Sequence, residues 1–442
     1  MPISPARVAS FEILLRVDQK DAFASELLHS SAYQKLSAPD HRLATELVMG
    51  VLRWRSLLDD QIASHSSLKL GKLDPEVLTA LRLGTYQLMF LDRIPSRATI
   101  YESVELVKRA RKRSAVPFAN ALLRKLEGPK PQAAAVAKSQ TASDLARSSA
   151  HPQWLVERWV QEFGIEAARR ICWYDQQVPE TCLILRDPAI AKEFEDHGIK
   201  VAPGRLLTSS RRLVAGDLAS LPAAHRDQIA IQDEGSQLVA LLVGAGSHIL
   251  DCCAAPGGKT KVLAERNPFA TVIAAELHAH RARLLRTLIT AQNVRVIVAD
   301  ARALPTTAAF DRVLADVPCS GTGTLARNPE IKWRLKPEDL PDLHDRQLAI
   351  LRSAMRQVAP GGRLMYSTCS LEKEENEQVI EKALSADAAF RLVDCLERLQ
   401  QLRADGELAW EDLNSLTRGP YLRTIPGLHP CDGFFAAILD KI

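Results

Sequence analysis

The stretch SHILDCCAAPGGKT, at residues 247–260, is an apolar run that ends in a turn containing Pro256, Gly257 and Gly258. Glycine lets the backbone approach a ligand closely, and an apolar run before such a turn is typical of a buried parallel strand that leads into a helix. The stretch therefore predicts a nucleotide-type pocket. An ordinary tight turn also explains two glycines, because the full G-x-G-x-x-G pattern is absent.

Four further apolar runs share this plan, and each ends in a polar or glycine-rich turn: TVIAAEL (271–277), RVIVADA (295–301), FDRVLADVPCSG (310–321) and GGRLMYSTCS (361–370). Helix-forming segments separate the runs. Strands that alternate with helices predict a doubly wound, Rossmann-like α/β domain over residues 237–442, with a ligand crevice at the carboxyl ends of its strands.

Acidic residues stand at the ends of four successive predicted strands: Asp251, Glu276, Asp300 and Asp316. Any one of them could be a helix cap. Glu276 follows the glycine turn by about 20 residues, the distance at which an acid commonly reaches ribose hydroxyls in such folds. We therefore expect Glu276 and Asp300 to recognise a ribose and an adenine amino group.

Cys319 and Cys369 also stand at predicted strand ends, so both thiols could face one pocket although 50 positions separate them. Thiols at a ligand crevice suit covalent catalysis. One reaction that needs such a thiol is methylation of carbon 5 of a cytosine, because that carbon is too electron-poor to attack a methyl sulfonium until a thiolate adds at carbon 6. Asp316, three residues before Cys319, could hold the cytosine or contact the cofactor. The alternative is that both cysteines only pack the core.

The segment SLEKEENEQVIEKAL, at residues 370–384, predicts a capped helix that begins with Ser370. The amide dipoles at its start would favour a thiolate on Cys369. The eight cysteines of the chain are scattered and form neither a disulfide framework nor a C-x-x-C pattern, so no metal site is predicted.

The amino-terminal part predicts three further segments. Residues 1–128 have apolar residues spaced by three and four, as in an all-helical domain. Residues 129–150 have almost no large apolar side chain and predict a linker. Residues 151–236 contain the strand-like runs TCLILRD and RRLVAGD among helical stretches, which predicts a small α+β module.

Positive charge is concentrated in the amino-terminal part. Residues 1–150 contain 22 Lys and Arg against 15 Asp and Glu, whereas the whole chain carries a net charge of only +4. The run KRARKRSAVPFANALLRK at 108–125 has seven basic side chains and no acid, which favours contact with a phosphate backbone; a solvated helix end is the alternative. The predicted phosphate contacts are Lys108, Arg109, Arg111, Lys112 and Arg113.

The segment RNPEIKWR at 327–334 pairs cations with an aromatic ring, and it predicts an RNA groove contacted by Lys332 and Arg334, with Trp333 either stacking on a base or packing in the core. The amino terminus has no signal-peptide pattern, and no apolar run approaches the roughly 20 residues of a membrane helix. We expect a cytoplasmic protein with no membrane partner.

The runs CAAPGGKT (253–260), DVPCSGTG (316–323) and YSTCS (366–370) together resemble the Sun/Nop family of RNA cytosine methyltransferases. Upstream, HRLATELVMGVLRWRSLLD (41–59) and VPFANALLRKL (116–126) resemble the NusB-like helical domain of the bacterial ribosomal members. HPQWLVERW (151–159) and DGFFAAIL (432–439) are similar to that family too, so the resemblance spans nearly the whole chain.

The resemblance implies methylation of carbon 5 of a cytosine in 16S ribosomal RNA by S-adenosylmethionine, with Cys369 as the nucleophile and Cys319 assisting product release. It also implies a small RNA-recognition-like fold for the middle module, and a monomer is expected. Glu276 departs from the family, whose bacterial members usually have Asp there. The implied methyl-donor contacts are Glu276, Asp300, Asp316 and the loop Cys253, Ala254, Ala255, Pro256, Gly257, Gly258 and Lys259.

Two other classes of protein fit parts of the sequence. A DNA cytosine methyltransferase also places Pro-Cys at a strand end, but it would use Cys319 as the nucleophile. A non-enzymatic RNA-binding or antitermination factor would account for the helical domain alone, and it would leave the pattern of the carboxy-terminal half unexplained.

Overall fold

The computed structural model describes residues 3–20, 22–33, 35–126, 133–186, 189–226, 228–305 and 309–442. The chain forms two compact units. The first comprises Met1–Val178 with Leu325–Arg334, and the second comprises Pro179–Thr324 with Leu335–Ile442. Residues 129–132 of the predicted linker lie outside the described residues, and the predicted domain boundaries stay predictions.

The first unit is helical, as predicted for the amino-terminal part. Its described helices are Pro5–Lys20, Ala24–Leu28, Ala38–Arg53, Arg55–His65, Pro75–Phe90, Ser96–Arg109, Val116–Leu123, Ala133–Ala137, Ala142–Ser148, Gln153–Asp175 and Ile331–Arg334. The last of these comes from sequence far downstream. Gly164 interrupts Gln153–Asp175 with a φ of 81°.

Local sequence signals explain where these helices begin and how closely they pack. The Ser37 side chain accepts from the Asp40 backbone N–H at the start of Ala38–Arg53, which satisfies one otherwise unpaired donor. Gly50 on that helix lies against Tyr86, and a Cβ at this position would stand 2.0 Å from the ring. A larger residue at position 50 would therefore force the two helices apart. Leu47, Leu58 and Leu81 are fully buried in this core, each contributing about 1.5–3 kcal/mol.

Lys332 is buried in the helical unit. Only 2% of its surface is exposed, and Nζ donates to the backbone carbonyls of Arg53 (2.9 Å) and Ala150 (3.1 Å). Burial lowers the pKa of Lys332 to about 7, because it outweighs the attraction of Asp175 and Cys172. The predicted RNA contact of Lys332 is therefore corrected, since a side chain without solvent exposure cannot reach a phosphate.

The neighbours of Lys332 are held in the same way. The half-buried Trp333 donates from Nε1 to the carbonyl of Leu52 at 2.7 Å. Arg334 donates to the carbonyls of Val17 (2.8 Å) and Ala22 (2.5 Å). The sequence left open whether Trp333 stacks on a base or packs in the core, and its hydrogen bond to Leu52 favours packing. The hydrogen bonds of Arg334 likewise favour a structural role over the predicted RNA contact.

The second unit begins with a small antiparallel sheet in the order β2-β3-β1-β4. Its strands are β1 (Cys182–Leu185), β2 (Lys200–Pro203), β3 (Ser210–Ala215) and β4 (Ile229–Ile231), with helices Ile190–Asp196 and Ala223–Arg226 between them. Leu183, Phe194 and Ile199 form its core. The predicted strand-like runs 181–187 and 211–217 coincide with β1 and β3, which makes this an α+β module.

The rest of the second unit is built on a mixed sheet of nine described strands in the order β11-β12-β13-β9-β8-β5-β6-β7, with β10 also paired to β13. The strands are β5 (His248–Asp251), β6 (Thr271–Glu276), β7 (Val294–Val298), β8 (Phe310–Asp316), β9 (Val358–Thr368), β10 (Phe390–Val393), β11 (Thr417–Arg418), β12 (Tyr421–Arg423) and β13 (Phe435–Lys441). The helices are Glu234–Val243, Gly258–Arg266, Ala279–Leu288, Asp339–Gln357, Glu377–Leu384 and Cys395–Ala404.

Strands β5 to β9 pair in parallel, as the sequence predicted. The antiparallel strand β13 pairs with β9 and adds an edge that the prediction did not contain. The chain runs from β5 to its neighbour β6 on one side and from β8 to its neighbour β9 on the other. Because these connections leave the adjacent strands β5 and β8 in opposite directions, a crevice opens at the carboxyl ends of these two strands. None of the helices in the described ranges is long and apolar enough to cross a membrane.

Candidate active site

A cavity of about 560 Å³ opens at the carboxyl ends of the parallel strands. This volume lies within the usual range for small-molecule sites. Its wall carries three acids at strand ends, both strand-end cysteines and the apolar side chains of Val317 and Ile350. The sequence-predicted residues that line it are Cys253, Ala255, Glu276, Asp300, Asp316, Cys319 and Cys369.

The glycine turn connects β5 to the helix Gly258–Arg266. Gly257 has a φ of 115°, in the left-handed region that favours glycine, and a Cβ there would stand 2.6 Å from the Leu285 side chain. Ala254, Pro256, Gly257, Gly258 and Lys259 belong to this turn and its helix start, whereas Cys253 and Ala255 reach the cavity wall. The turn thus shapes one end of the crevice.

Glu276 ends β6 and is only 5% exposed, yet it lines the cavity. Its Oε1 accepts from the backbone N–H of His278 at 2.8 Å, which fixes the carboxylate at the strand end. A buried carboxylate beside a cavity is a strong acceptor for paired hydroxyl groups. The placement fits the predicted role of Glu276 with a ribose.

Asp300 lies two residues beyond β7, and Arg302 already holds its carboxylate. Arg302 Nη2 donates to Asp300 Oδ2 at 2.6 Å, and Nε lies 3.0 Å from both oxygens. This hydrogen bonding lowers the pKa of Asp300. To accept from an adenine amino group, Asp300 must share an oxygen with Arg302, a partner that its position in sequence did not reveal.

The two strand-end thiols meet on the cavity wall. Cys319 follows β8 and Cys369 follows β9, and their sulfur atoms are 3.3 Å apart. The hydrogen bond to Cys369 raises the pKa of the Cys319 thiol well above its ordinary value, and burial adds to this shift. Cys319 therefore keeps its proton and can donate it toward a thiolate on Cys369.

Lys259, whose side chain is only 13% exposed, supplies a positive charge near these thiols. Its Nζ donates to Asp316 Oδ2 at 2.8 Å, and Ser367 Oγ donates to Asp316 Oδ1 at 2.7 Å. Burial opposes the charge, but the attraction of Asp316 and of Cys369 prevails and raises the pKa of Lys259. The site thus holds a cation that lies against Asp316 and near Cys369.

The predicted helix start at Ser370 is wrong. Residues 370–372 are not helical; a single 3₁₀ turn covers Lys373–Glu375, and the α-helix begins at Glu377. The hydroxyl of Ser370 instead donates to Glu375 and accepts from the backbone N–H of Glu372, which holds the chain in a loop. Lys259, rather than a helix dipole, is the charge partner that the structure gives to Cys369.

Two further contacts around the thiols were not predicted from the sequence. Gln347 donates to the carbonyl of Pro318 (3.0 Å) and to Glu375 Oε1 (2.8 Å), and it is fully buried. Tyr366 donates to the carbonyl of Glu375 at 2.6 Å. Gln347 lies outside the quoted motifs and has no signal of its own, whereas Tyr366 begins the YSTCS run, which marks its position but not its partner.

The predicted phosphate contacts of the helical unit lie at the end of Ser96–Arg109 and just beyond. Three of them are already in ion pairs: Lys108 with Glu105, Arg109 with Glu12, and Lys112 with Asp74 and Glu76. The other two, Arg111 and Arg113, are exposed and form no ion pair within the described ranges.

No group of three or more His, Cys, Asp or Glu side chains in the described part of the chain has the geometry to hold a metal ion. The polar groups that line the crevice are carboxylates, thiols, the imidazole of His278 and the guanidinium groups of Arg281, Arg302 and Arg346, beside an apolar wall. This donor set suits an organic ligand that carries hydroxyl and amino groups.

Two family models and a full-length relative match this chain. The family model described as 16S rRNA methyltransferase RsmB/F matches residues 239–440, and the NusB family model matches residues 4–128. The probable ribosomal RNA small subunit methyltransferase B of Bacillus subtilis is 32% identical over 461 residues, with all of both chains covered.

Two solved structures share the fold. The crystal structure of PH0851 has a TM-score of 0.80 at 23% identity and covers all of both chains. That of NSun6 from Pyrococcus horikoshii with SFG has a TM-score of 0.55 at 19% identity, and covers 66% of this chain and 98% of that one. By its full-length identity to the Bacillus relative and its match to the family model, the chain belongs to the RsmB/F family of methyltransferases and has a NusB-like amino-terminal domain.

Proposed function

We propose that this methyltransferase transfers a methyl group from S-adenosylmethionine to carbon 5 of a cytosine in small-subunit ribosomal RNA, through a covalent bond from Cys369 to carbon 6. The observation that carries the proposal is the pair of sulfur atoms 3.3 Å apart on the wall of a cavity that also carries Asp316. The printed name of the Bacillus relative supports the ribosomal substrate.

The methyl donor supplies an electrophilic methyl group when bound. The cavity volume and the donor set fit this molecule, since Glu276 can accept from a ribose diol and Asp300 from an adenine amino group. The apolar side chains of Val317 and Ile350 offer a surface to the adenine ring. The SFG complex of NSun6 supports a ligand of this kind in the shared fold.

The reaction follows from the charges of the site. The Cys369 thiolate, stabilised by the Lys259 ammonium group, adds to carbon 6 of the cytosine, and the electron pair moves to carbon 5. Carbon 5 then bonds to the methyl carbon as the bond from that carbon to the donor's sulfur breaks, and the electron pair of the broken bond stays on that sulfur. A base, either Asp316 or water, removes the carbon 5 proton, and elimination breaks the bond between sulfur and carbon 6. Cys319 keeps its proton and lies in contact with the departing sulfur, which is the position needed to assist release.

The RNA must present an unstacked cytosine, because a paired base cannot reach a thiol and a methyl donor together. Phosphate contacts supply most of the affinity and its salt dependence. We assign these contacts to the basic residues at 108–113, with Arg111 and Arg113 first among them because they are exposed and have no ion pair with any residue that the structure describes.

Substitution of the two cysteines tests the proposal. Cys369→Ala is expected to abolish methyl transfer, whereas Cys319→Ala is expected to accumulate a covalent protein–RNA adduct on a denaturing gel. If Cys319→Ala abolishes transfer and Cys369→Ala remains active, the roles are reversed, and the chemistry is that of the DNA cytosine enzymes. Cys395→Ala, at a buried cysteine that does not line the cavity, is the matched control.

A further inference from the structure

We propose that Glu375 is a positioning residue that sets the distance between the two reactive thiols. It is fully buried, lies on the 3₁₀ turn Lys373–Glu375, and touches neither sulfur in a hydrogen bond. The proposal rests on the reaction proposed above, in which two thiols act in turn on one base.

Both oxygens of Glu375 are held by donors from the two cysteine loops. Oε1 accepts from the backbone N–H of Ser320 at 2.8 Å, and Oε2 accepts from the hydroxyls of Ser320 and Ser370. Ser320 directly follows Cys319, and Ser370 directly follows Cys369. One carboxylate therefore accepts hydrogen bonds from two loops that are 50 positions apart in the chain.

The geometry of the serines identifies the carboxylate as the shared partner. The two hydroxyl oxygens are only 3.0 Å apart, but each hydroxyl has a single proton, and both protons are directed to Glu375. Their closeness thus follows from a common acceptor. A buried carboxylate is tolerated only where several donors compensate its charge, and Gln347 adds a fourth at 2.8 Å.

Neighbouring contacts hold Glu375 itself in place. Tyr366, on β9, donates to its backbone carbonyl at 2.6 Å. Asn376 binds both residues that flank Cys369: it accepts from the Thr368 hydroxyl at 2.5 Å and donates to the Ser370 carbonyl at 2.9 Å. These hydrogen bonds fix the position of the Glu375 backbone. Its carboxylate in turn fixes the positions of the Cys319 and Cys369 loops.

The consequence for the reaction is geometric. Displacement of catalytic groups by about 1 Å can cost on the order of 10²-fold in rate, even when the altered residue does not touch the substrate. Loss of the shared acceptor would let the Cys319 and Cys369 loops separate. The chemical step would slow while substrate binding stayed intact.

Glu375→Gln tests the proposal, because it keeps the shape of the side chain and removes one acceptor oxygen. Phenylarsine oxide reports the spacing directly: it condenses with two adjacent thiols to form two As–S bonds and release one water. The expected result is a loss of about tenfold or more in arsenical affinity and in kcat, with KM for RNA and methyl donor unchanged. Glu374→Gln, one residue earlier and only partly buried, is the matched control and is expected to leave both unchanged.

A folded Glu375→Gln protein with wild-type arsenical affinity would overturn the positioning role, whatever its activity. Should that variant not fold, Ser370→Ala removes one donor and is expected to weaken arsenical capture several-fold; unchanged capture would again overturn the role. Capture needs neither RNA nor methyl donor. A wild-type protein that captures the arsenical but methylates no cytosine would therefore refute the proposed function and leave the positioning role standing.

Discussion

Two lysines with little solvent exposure, one in each unit of the chain, differ in their partners and therefore in the direction of their pKa shifts. Lys259 lies against the carboxylate of Asp316 and beside Cys369, and these partners raise its pKa. Lys332 donates to backbone carbonyls, and burial lowers its pKa to about 7. Desolvation opposes the charge of both lysines, but the neighbouring anions outweigh it only at Lys259.

Lys259→Met tests whether the charge of Lys259 contributes to the proposed reaction. The variant leaves Asp316 without its cation and removes the charge that stabilises a thiolate on Cys369. We expect kcat to fall by about 10²–10³-fold, as for the loss of one preorganised electrostatic partner. Alkylation of Cys369 by iodoacetamide at neutral pH should slow in parallel.

Methylation rates and mass-spectrometric mapping of alkylated cysteines measure both effects. Lys261→Met, two residues along the same helix, is the control that makes the same substitution away from the thiols. A Lys259→Met enzyme within threefold of wild type would show that this ammonium group has no part in the reaction.

Lys332→Met tests whether the lowered pKa of Lys332 changes the stability of the protein with pH. The pKa of Lys332 is about 7 in the folded chain and about 10.4 in an unfolded one. Between these values the unfolded state binds more protons, so this lysine makes the protein more stable as pH rises from 7 toward 10. From pH 7 to 9 the free energy of unfolding of the wild type should increase by up to about 3 kcal/mol relative to Lys332→Met.

Urea unfolding of the full chain, followed by tryptophan fluorescence, measures this difference, because five of the six tryptophans lie in the helical unit. Lys138→Met, at an exposed position of that unit, should run parallel to the wild type. Equal pH dependence of the wild type and Lys332→Met would contradict a neutral buried lysine.

The sequence predicted the crevice well and the surroundings of its cations poorly. Strand ends are marked by apolar runs followed by polar turns, so the positions of Glu276, Asp316, Cys319 and Cys369 at one edge of a parallel sheet followed from the pattern. The pattern contains no information on which side chain pairs with which. The bond between Asp300 and Arg302 therefore came only from the three-dimensional structure.

The wrong helix start at Ser370 has a similar cause. Residues 370–384 have good helix formers throughout, but the long-range bonds of Glu375 and Asn376 hold the first residues in a loop. At Lys332 the sequence pattern predicted an RNA contact where the structure has a buried side chain. A cation beside a tryptophan is typical of an RNA groove, yet here backbone carbonyls of the helical unit occupy its donors.

The exposed arginines of the helical unit extend the comparison to cations on the surface, where we expect the smallest effect. Arg111 and Arg113 have no ion pair in the described structure, whereas Lys108 and Arg109 are paired with Glu105 and Glu12. Arg111→Ala with Arg113→Ala should weaken RNA binding and lower the salt slope of log Kd by about 1.4–1.8, for two lost phosphate contacts. Lys108→Ala with Arg109→Ala should have the smaller effect. Equal slopes for all proteins across a salt titration would remove the basic run from the RNA-binding surface.

Trapping with RNA that carries 5-fluorocytosine at the target site tests the central claim most directly. Fluorine cannot leave as a proton does, so the methylated intermediate cannot eliminate and the bond from sulfur to carbon 6 persists. Wild-type protein with methyl donor should form a covalent complex that peptide mapping locates at Cys369, and Cys369→Ala should form none. An active enzyme that is never trapped, or is trapped only through Cys319, would contradict the account.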